Sequence, residues 1–564
     1  MKFSEYPYRR PDMEALKANM KAQFERFEKA ESVKEQQEVI KRIEDLISGF
    51  VTQATICSIR HTIDTKDEFY KEENDFYDEN MPLFSELESQ YKELLLGSRF
   101  REELEEIYGE QIFRLAEINK KAFTPEIIPE LVEEGKLSTQ YDQLLASAQI
   151  EFDGKTLTLA QIDPYMQSPD RAVRKAAMEA KFGFFAEHEA ELDEIYDKMV
   201  KVRDKMAKKM GFENYVEMGY ARMNRTDYDA DMVANYRKQV AEELVDIAVD
   251  LRKRQQERLG LDHLYFYDEA FAFESGNPVP QGEPDWILEQ ADKMYEELSP
   301  ETREFFRFMR ENELMDVLAK KGKSGGGYMT MIPDYRAPFI FANFNGTKHD
   351  VEVMTHEAGH AFQGYMSREQ PLLEYFGPTL EACEIHSMSM EFLTWPWMEL
   401  FFKHQTEKFK FSHLAGAVEF IPYGVAVDEF QHFVYENPEA TPEERKNFWH
   451  EMERKYLPDR DYGDFDYLNR GGFWMRQSHI FGAPFYYIDY TLAQVCAFQF
   501  WIKSREDREE AWQDYLRLCA LGGSKSFLEL VEAANLRNPF EDGCIASVIP
   551  EIREYLDSVD DKKL

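Results

Sequence analysis

The amino-acid sequence predicts a mainly α-helical protein of several lobes, with one small β-sheet that leads into a buried helix. Three observations support this fold class. Apolar residues recur over most of the chain with the period of about 3.6 residues that amphipathic helices have. Strand-like patterns are confined to two short stretches, residues 149–159 and 325–346. The chain has 564 residues, and single hydrophobic cores stop growing at about 250–300 residues.

Helix-start and turn patterns divide the chain into its elements. Asp153-Gly154 separates two short β-prone runs and predicts a hairpin. We expect an N-terminal helical lobe over residues 1–190 and a second helical lobe over residues 191–564, whose segments can interleave. Three short stretches predict the beginning of a helix: Pro11-Asp12, Ser168-Pro169-Asp170 and Ser299-Pro300-Glu301.

The stretch 325–346 predicts the small sheet. Its β-prone runs are bounded by Gly and Pro, which indicates two strands, and Pro within the runs is typical of an edge strand. An exposed strand edge can bind an extended peptide by strand addition. Gly326, Gly327 and Tyr328 are therefore candidate substrate-binding residues. The alternative is a plain hairpin that supports the helix that follows.

Residues 356–360 have the sequence His-Glu-Ala-Gly-His within a predicted helix. Four residues advance an α-helix by roughly 400°, so His356 and His360 lie about 40° apart, one turn above each other. Both imidazoles can bind one metal ion, and Glu357 can reach a water in the open metal position. The alternative is two surface histidines on an ordinary helix, but the apolar flanking residues predict burial. The pattern predicts a hydrolase centre with one zinc ion, although cobalt and manganese also suit such ligands.

The third protein ligand is expected on the next predicted helix, from about residue 379 to 395. The third histidine of metzincins is absent from the position that class requires. Glu384 and Glu391 are seven residues apart and share a helix face. We favour Glu384 as the ligand and Glu391 as the outer hydrogen-bond partner of a ligating histidine, for which Asp350 is a second candidate. Glu381, one turn before Glu384, remains the alternative ligand.

Composition restricts the class of protein. Apolar residues make up 43% of the chain and aromatic residues 14%, which indicates a globular protein. The net charge of −40 argues against nucleic acid and against anionic membranes as partners. No apolar run approaches the roughly 18 residues of a membrane span, and the first residues lack an apolar signal core. The five cysteines form no CxxC pair, which favours reduced thiols and a cytoplasmic location.

Several stretches of the chain resemble the thimet oligopeptidase and oligoendopeptidase F family of zinc metallopeptidases, closest to the bacterial Pz-peptidase type. The first is residues 350–361, followed 24 residues after His360 by Glu384. The others are residues 430–438, 479–481 and 484–490. The resemblance is specific from about residue 320 to 500. Over the first 300 residues it is limited to length and helical character.

The resemblance implies roles for residues of this chain. His356, His360 and Glu384 would bind zinc, and Glu357 would be the catalytic base. A His and Tyr residues of a C-terminal segment would stabilise the oxyanion, and the matching residues are His479, Tyr487 and Tyr490. This segment is one residue shorter than in animal members, so the choice between Tyr486 and Tyr487 stays open, and Tyr486 is a candidate substrate-binding residue.

The predicted function is zinc-dependent hydrolysis of internal peptide bonds in short, unfolded oligopeptides. The resemblance implies a deep substrate cleft or channel and makes residues 191–564 the catalytic lobe. One alternative is a metallocarboxypeptidase of similar helical fold. The other is a peptide-binding protein that has lost catalysis, against which the intact Glu357 argues. The sequence indicates no particular oligomeric state.

Overall fold

The computed structural model describes all residues 1–564 and is mainly α-helical, as predicted. The first helices are α1 Met13–Lys29, α2 Val33–Ile63, α3 Glu68–Leu96, α4 Arg101–Tyr108, α5 Gln111–Ala122, α6 Ile128–Ala146, α7 Arg171–Glu187, α8 Glu189–Lys209, α9 Tyr215–Arg222, α10 Ala230–Glu243, α11 Val245–Arg258, α12 Pro284–Leu298 and α13 Pro300–Glu311. The later helices are α14 Lys348–Ser367, α15 Leu380–Leu393, α16 Glu399–Phe402, α17 Thr406–Glu436, α18 Pro442–Tyr456, α19 Asp466–Asn469, α20 Ser478–Gly482, α21 Tyr487–Glu506, α22 Arg508–Leu521, α23 Phe527–Ala533 and α24 Cys544–Ser558. The strands are β1 Ile150–Phe152, β2 Lys155–Leu157, β3 Met315–Leu318, β4 Tyr328–Ile332 and β5 Ala337–Phe344.

The chain forms two compact units, each made of three separate stretches. Unit 1 comprises Met1–Lys120, Val279–Thr406 and Cys496–Arg537. Unit 2 comprises Lys121–Pro278, Glu407–Val495 and Asn538–Leu564. The division into lobes at residue 190 and the deep substrate cleft remain predictions.

Side-chain caps explain where several helices begin. In unit 1, Asp12 accepts a hydrogen bond from the backbone N–H of Ala15 at 3.0 Å, and Ser299 caps α13. In unit 2, Asp170 accepts from the backbone N–H of Ala172 at 2.9 Å. Such caps satisfy N–H groups that have no partner within the helix. The three predicted helix starts are therefore confirmed.

The predicted hairpin is confirmed in unit 2. β1 pairs antiparallel with β2, and Ile150 lies opposite Leu157. The two turn residues, Asp153 and Gly154, have φ angles of 52° and 68°. A two-residue hairpin turn needs this left-handed backbone, and the Asp-Gly pair favours it.

The sheet before α14, in unit 1, has three strands in the order β3-β5-β4, one more than predicted. β4 runs antiparallel to β5 and is an edge strand, whereas β3 runs parallel to β5. The edge position predicted from Pro is wrong for β5, the strand that contains Pro338, because β3 pairs with its other side. Pro338 of β5 lies opposite Met331 of β4, and the pairing with β3 begins only at Ile340. The missing N–H of Pro338 therefore removes no hydrogen bond to β3. β3 was missed because a four-residue strand that pairs in parallel leaves no local sequence pattern.

Helices α14 and α15 of unit 1 cross closely at Gly359. A Cβ at this position would lie 2.7 Å from the carbonyl oxygen of His386 and 2.7 Å from the Cα of Ser387. Both are backbone atoms, so no side-chain rotation could make room for the Cβ. Glycine at residue 359 therefore sets the distance between the two helices.

Replacing Gly359 with Ala is expected to destabilise the fold by about 1–3 kcal/mol, because α15 must move away from α14. The matched control is Gly49→Ala in α2, where a new Cβ would meet no atom within 4 Å. The control is expected to stabilise the fold by up to about 1 kcal/mol, since Ala favours helix over Gly. Thermal unfolding of both variants measures the effects. A Gly359→Ala protein as stable as the control would contradict the close crossing.

No helix combines the length and the apolar character that a membrane span requires.

Candidate functional site

Helix α14 carries His356, Glu357 and His360, and the turn before it is fixed by Asp350. The Asp350 carboxylate accepts hydrogen bonds from the backbone N–H groups of Asn345 at 3.0 Å and Gly346 at 2.7 Å. We predicted Asp350 as a second candidate for the outer partner of a ligating histidine. The structure places this carboxylate under the turn between β5 and α14, where it holds the start of the helix.

Helix α15 brings Glu384 to the two histidines. Glu384 Oε2 lies 3.3 Å from His356 Nε2 and 3.5 Å from His360 Nε2. The three potential ligand atoms lie within 4.8 Å of one another. Ligand atoms at about 2.0–2.1 Å from a tetrahedral zinc ion are about 3.3–3.4 Å apart, so this donor set fits zinc. Glu381, the alternative ligand, is not a member of the group.

Two further side chains of α15 orient this group. Glu391 Oε1 lies 2.7 Å from His356 Nδ1, which directs Nε2 of the same ring towards Glu384. The Ser387 hydroxyl donates a hydrogen bond to Glu384 Oε2 at 3.0 Å. The face that Glu384 and Glu391 share on α15 is therefore the face that meets α14.

The charged forms of His356 and Glu384 stabilise each other. Burial opposes a positive charge on His356, but hydrogen bonds to Glu384 and Glu391 raise the pKa of this imidazole well above its usual range. Burial also opposes a charge on Glu384, yet the two neighbouring imidazoles hold the pKa of this carboxyl well below its usual range. A buried carboxylate that stays ionised is a suitable ligand for a metal cation.

The carboxylate of Glu357 is buried and incompletely hydrogen-bonded. Glu357 is only 8% exposed, and its Oε2 atom has no hydrogen-bond partner. Burial raises the pKa of Glu357, although the nearby His356 and His360 act to lower it. A buried carboxylate with a spare acceptor atom and a raised pKa is suited to accept and release a proton.

The chain entering β4 lies beside Glu357. A Cβ on Gly327 would lie 3.7 Å from Glu357 Oε1, so the chain passes close to this carboxylate. Gly326 has a φ angle of 83°, a conformation that favours glycine. The Tyr328 hydroxyl forms a 2.6 Å hydrogen bond with Thr62 Oγ1, which ties the start of β4 to α2. Of the three predicted substrate-binding residues of this stretch, Gly327 is the one that lies next to the predicted base.

In unit 2, His479 lies among the three candidate tyrosines. The centroid of its ring is 5.7 Å from that of Tyr486, 5.1 Å from that of Tyr487 and 5.8 Å from that of Tyr490. Burial raises the pKa of Tyr487, so its hydroxyl keeps its proton and can donate a hydrogen bond. Both Tyr486 and Tyr487 adjoin His479, and the choice between them stays open.

Buried polar groups hold the segment between α20 and α21 in a strained conformation. Phe485 has a φ angle of 67°, which is rare for a bulky residue. Its N–H donates to Gln431 Oε1 at 2.9 Å, and its carbonyl accepts from Arg225, which also pairs with Asp489 at 2.8 Å. Its ring packs on Gly219, where a Cβ would lie 2.7 Å from the ring. These contacts fix the segment that leads from His479 to the tyrosines.

The sequence analysis missed two residues next to His479. Gln477 Nε2 lies 2.8 Å from His479 Nδ1, and the Tyr423 hydroxyl donates to Gln477 Oε1 at 2.8 Å. Tyr423 comes from α17, far from His479 along the chain. A glutamine two residues before a histidine, and a tyrosine inside an apolar helix, form no sequence pattern that predicts such a contact.

Comparisons with protein families identify two matching family models, which cover three segments of the chain. Residues 3–123 match the peptidase M3 N-terminal domain. Residues 164–279 and 288–548 match peptidase family M3, and the second of these ranges includes every candidate site residue.

Individual relatives agree with this match. A solved structure of PZ peptidase A with inhibitor 2 is 59% identical to the chain, covers 100% of both chains and superposes with a TM-score of 0.95. An oligoendopeptidase F homolog of Borreliella burgdorferi is 21% identical over 69% of this chain and 67% of its own length. Group B oligopeptidase PepB of Streptococcus agalactiae is 23% identical, over 71% of this chain and 64% of its own length. The predicted family resemblance is thus confirmed, and the chain belongs to peptidase family M3.

Proposed function

We propose that the protein is a zinc-dependent endopeptidase that hydrolyses internal peptide bonds of short, unfolded oligopeptides. The observation that carries the proposal is the spacing of Glu384 Oε2 from His356 Nε2 and His360 Nε2, 3.3 and 3.5 Å, next to a buried Glu357 carboxylate with an unpaired oxygen. Membership of peptidase family M3 supports the peptidase activity.

His356, His360 and Glu384 would hold the zinc ion, and Glu391 would keep the His356 ring in its binding orientation. A bound zinc ion supplies Lewis-acid chemistry and lowers the pKa of water to about 7. Glu357 takes the proton of the attacking water on its unpaired Oε2 and releases it to the leaving nitrogen. Its raised pKa favours the holding of that proton between the two transfers.

Chain residues would also bind the substrate and stabilise developing negative charge. The outer edge of β4 has no paired strand, and Gly327, just before this strand, lies next to Glu357. Gly326 and Tyr328 flank Gly327 and would bind the same peptide. An extended peptide can add to such an edge through its backbone. His479, Tyr487 and Tyr490 would donate hydrogen bonds to the oxyanion, and removal of one such donor typically lowers the rate by roughly 10²–10³. Tyr486 would contribute to substrate binding.

We also propose a cytoplasmic location. The chain has five scattered cysteines, an odd number, and none of them forms a CxxC pair, which favours reduced thiols over a disulfide framework. Reducing compartments keep thiols in this state.

Hydrolysis of an internally quenched peptide of about ten residues, blocked at both ends, tests the proposed activity. We expect internal cleavage that a chelator abolishes and added zinc restores, with products identified by mass spectrometry. Cleavage only of the form with a free C-terminal carboxylate would indicate a carboxypeptidase instead. No cleavage of either form by the zinc-loaded protein would indicate a peptide-binding protein.

A further inference from the structure

We infer that Tyr423 and Gln477 form a hydrogen-bond chain that fixes His479 as a neutral imidazole with its proton on Nε2. Gln477 is thereby assigned as a positioning residue for the proposed oxyanion donor. The inference rests on the proposed function, because a neutral donor at His479 has a role only if His479 acts on the substrate.

The contact between Gln477 and His479 sets the tautomer of the imidazole. Gln477 Nε2 lies 2.8 Å from His479 Nδ1. An amide nitrogen can only donate hydrogen bonds, so Nδ1 must be the unprotonated acceptor. A neutral imidazole carries one ring proton, which is then on Nε2. His479 thus presents an N–H donor on the side away from Gln477.

The contact between Tyr423 and Gln477 sets the direction of the amide. The Tyr423 hydroxyl lies 2.8 Å from Gln477 Oε1, and both residues are buried, 8% and 9% exposed. A flipped amide would turn Nε2 towards Tyr423 and leave the buried hydroxyl proton without its acceptor. Buried polar groups are costly to leave unpaired, so the network selects the orientation with Oε1 facing Tyr423.

Arg476 reinforces this direction. Its guanidinium lies 5.9 Å from the centroid of the Tyr423 ring, and its positive charge acts on the hydroxyl. The charge attracts the phenolic oxygen and repels the phenolic proton, which therefore points to Gln477 and not to Arg476. Burial raises the pKa of Tyr423, so the hydroxyl keeps the proton that it donates.

The backbone holds both residues of the chain in place. The N–H of Gln477 donates to the carbonyl of Trp474 at 2.9 Å, and its carbonyl accepts from Ile480 at 3.0 Å. Tyr423 lies within α17, and its ring meets the ring of Tyr487 edge-on at 5.7 Å. One tyrosine therefore supports both His479, through Gln477, and Tyr487, through direct packing.

The chemistry of the amide distinguishes it from a carboxylate at the same position. A glutamate would accept a hydrogen bond from Nδ1–H, and its charge would favour the imidazolium form. Glutamine instead accepts from Tyr423 and donates to the ring, which keeps His479 neutral. The proton on Nε2 can then be donated to an oxyanion without a change of tautomer.

The test reads the tautomer directly by ¹⁵N NMR of the full-length protein labelled at its 12 histidines. A His479→Asn spectrum assigns the signals of His479. The wild-type protein is expected to give the pattern of a neutral ring protonated on Nε2. Gln477→Glu is expected to change it to the pattern of an Nδ1-protonated or fully protonated ring. Gln143→Glu, at an exposed residue of α6, makes the same change of charge and should leave the signals unchanged.

Kinetics provide a second readout. Gln477→Glu is expected to lower kcat by about 10–100-fold with little change in KM, because the outer partner of a functional histidine is lost. If this variant does not fold, Tyr423→Phe replaces it and is expected to give a mixture of the two neutral tautomers.

A wild-type ring protonated on Nδ1, or an unchanged His479 pattern in Gln477→Glu, would overturn the inference. The NMR experiment needs no substrate, so it separates this inference from the proposed function. Full activity of His479→Asn, together with the expected tautomer, would refute the donor role and leave the hydrogen-bond chain intact.

Discussion

Glu357→Gln is expected to lower kcat by about 10²–10⁴-fold, the contribution typical of general acid–base catalysis. Gln has nearly the shape of Glu but cannot accept the proton of water. The metal content should stay unchanged, because Glu357 is not a member of the group His356, His360 and Glu384. Peptide binding should also persist. The measurements are kcat for the blocked peptide, zinc per protein chain and the affinity for an uncleaved peptide.

The control for this variant is Glu369→Gln, which makes the same change at an exposed residue just beyond α14. This variant should keep the activity of the parent protein. If Glu357→Gln, at full zinc content, hydrolyses the peptide at a rate close to that of Glu369→Gln, another group serves as the base.

Glu384→Ala is expected to cause a larger loss of metal affinity than Glu391→Ala. It would remove one of three candidate ligand atoms, whereas loss of an outer hydrogen-bond partner typically costs about 10–100-fold in metal affinity. We therefore expect more than about 100-fold weaker zinc binding for Glu384→Ala and about 10–100-fold for Glu391→Ala. Competition with a chromophoric chelator measures both affinities.

Glu381→Gln is the matched control on the same helix. Glu381 is buried one turn before Glu384, but it is not a member of the ligand group. Its variant should bind zinc as tightly as the parent protein. The reverse order, with zinc affinity lost in Glu381→Gln and kept in Glu384→Ala, would assign the third ligand to Glu381. Circular dichroism checks that each variant is folded.

Several predictions needed only local sequence, because local geometry decides them. Caps act over two or three residues, so Asp12, Asp170 and Ser299 mark helix starts directly. The hairpin at Asp153 depends on the backbone conformation of two adjacent residues. The alignment of His356 and His360 follows from helical pitch alone.

Helix periodicity alone does not identify the third candidate metal ligand. Glu381, Glu384 and Glu391 lie on one helix, and periodicity assigns each a face but not the partner of that face. The close crossing at Gly359 turns one face of α15 to α14 and brings Glu384 and Glu391 to the histidines. The family resemblance indicated Glu384 before the structure did, although spacing left Glu381 open.

The sequence by itself determined the helical class, the family, the helix starts, the hairpin and the His-Glu-x-x-His turn, because these depend on local pattern or on inherited motifs. Only the tertiary structure decided the third strand, the hydrogen bonds of Asp350 to its own turn, the strained Phe485 and the chain from Tyr423 through Gln477 to His479. The physical reason is that the β3–β5 pairing, the contacts of Phe485 and the hydrogen bond from Tyr423 to Gln477 join residues distant in sequence. The contacts of Asp350 and His479 are local, but they depend on side-chain directions that sequence periodicity does not give. Their energies depend on burial and on hydrogen-bond direction, which exist only once the helices have packed.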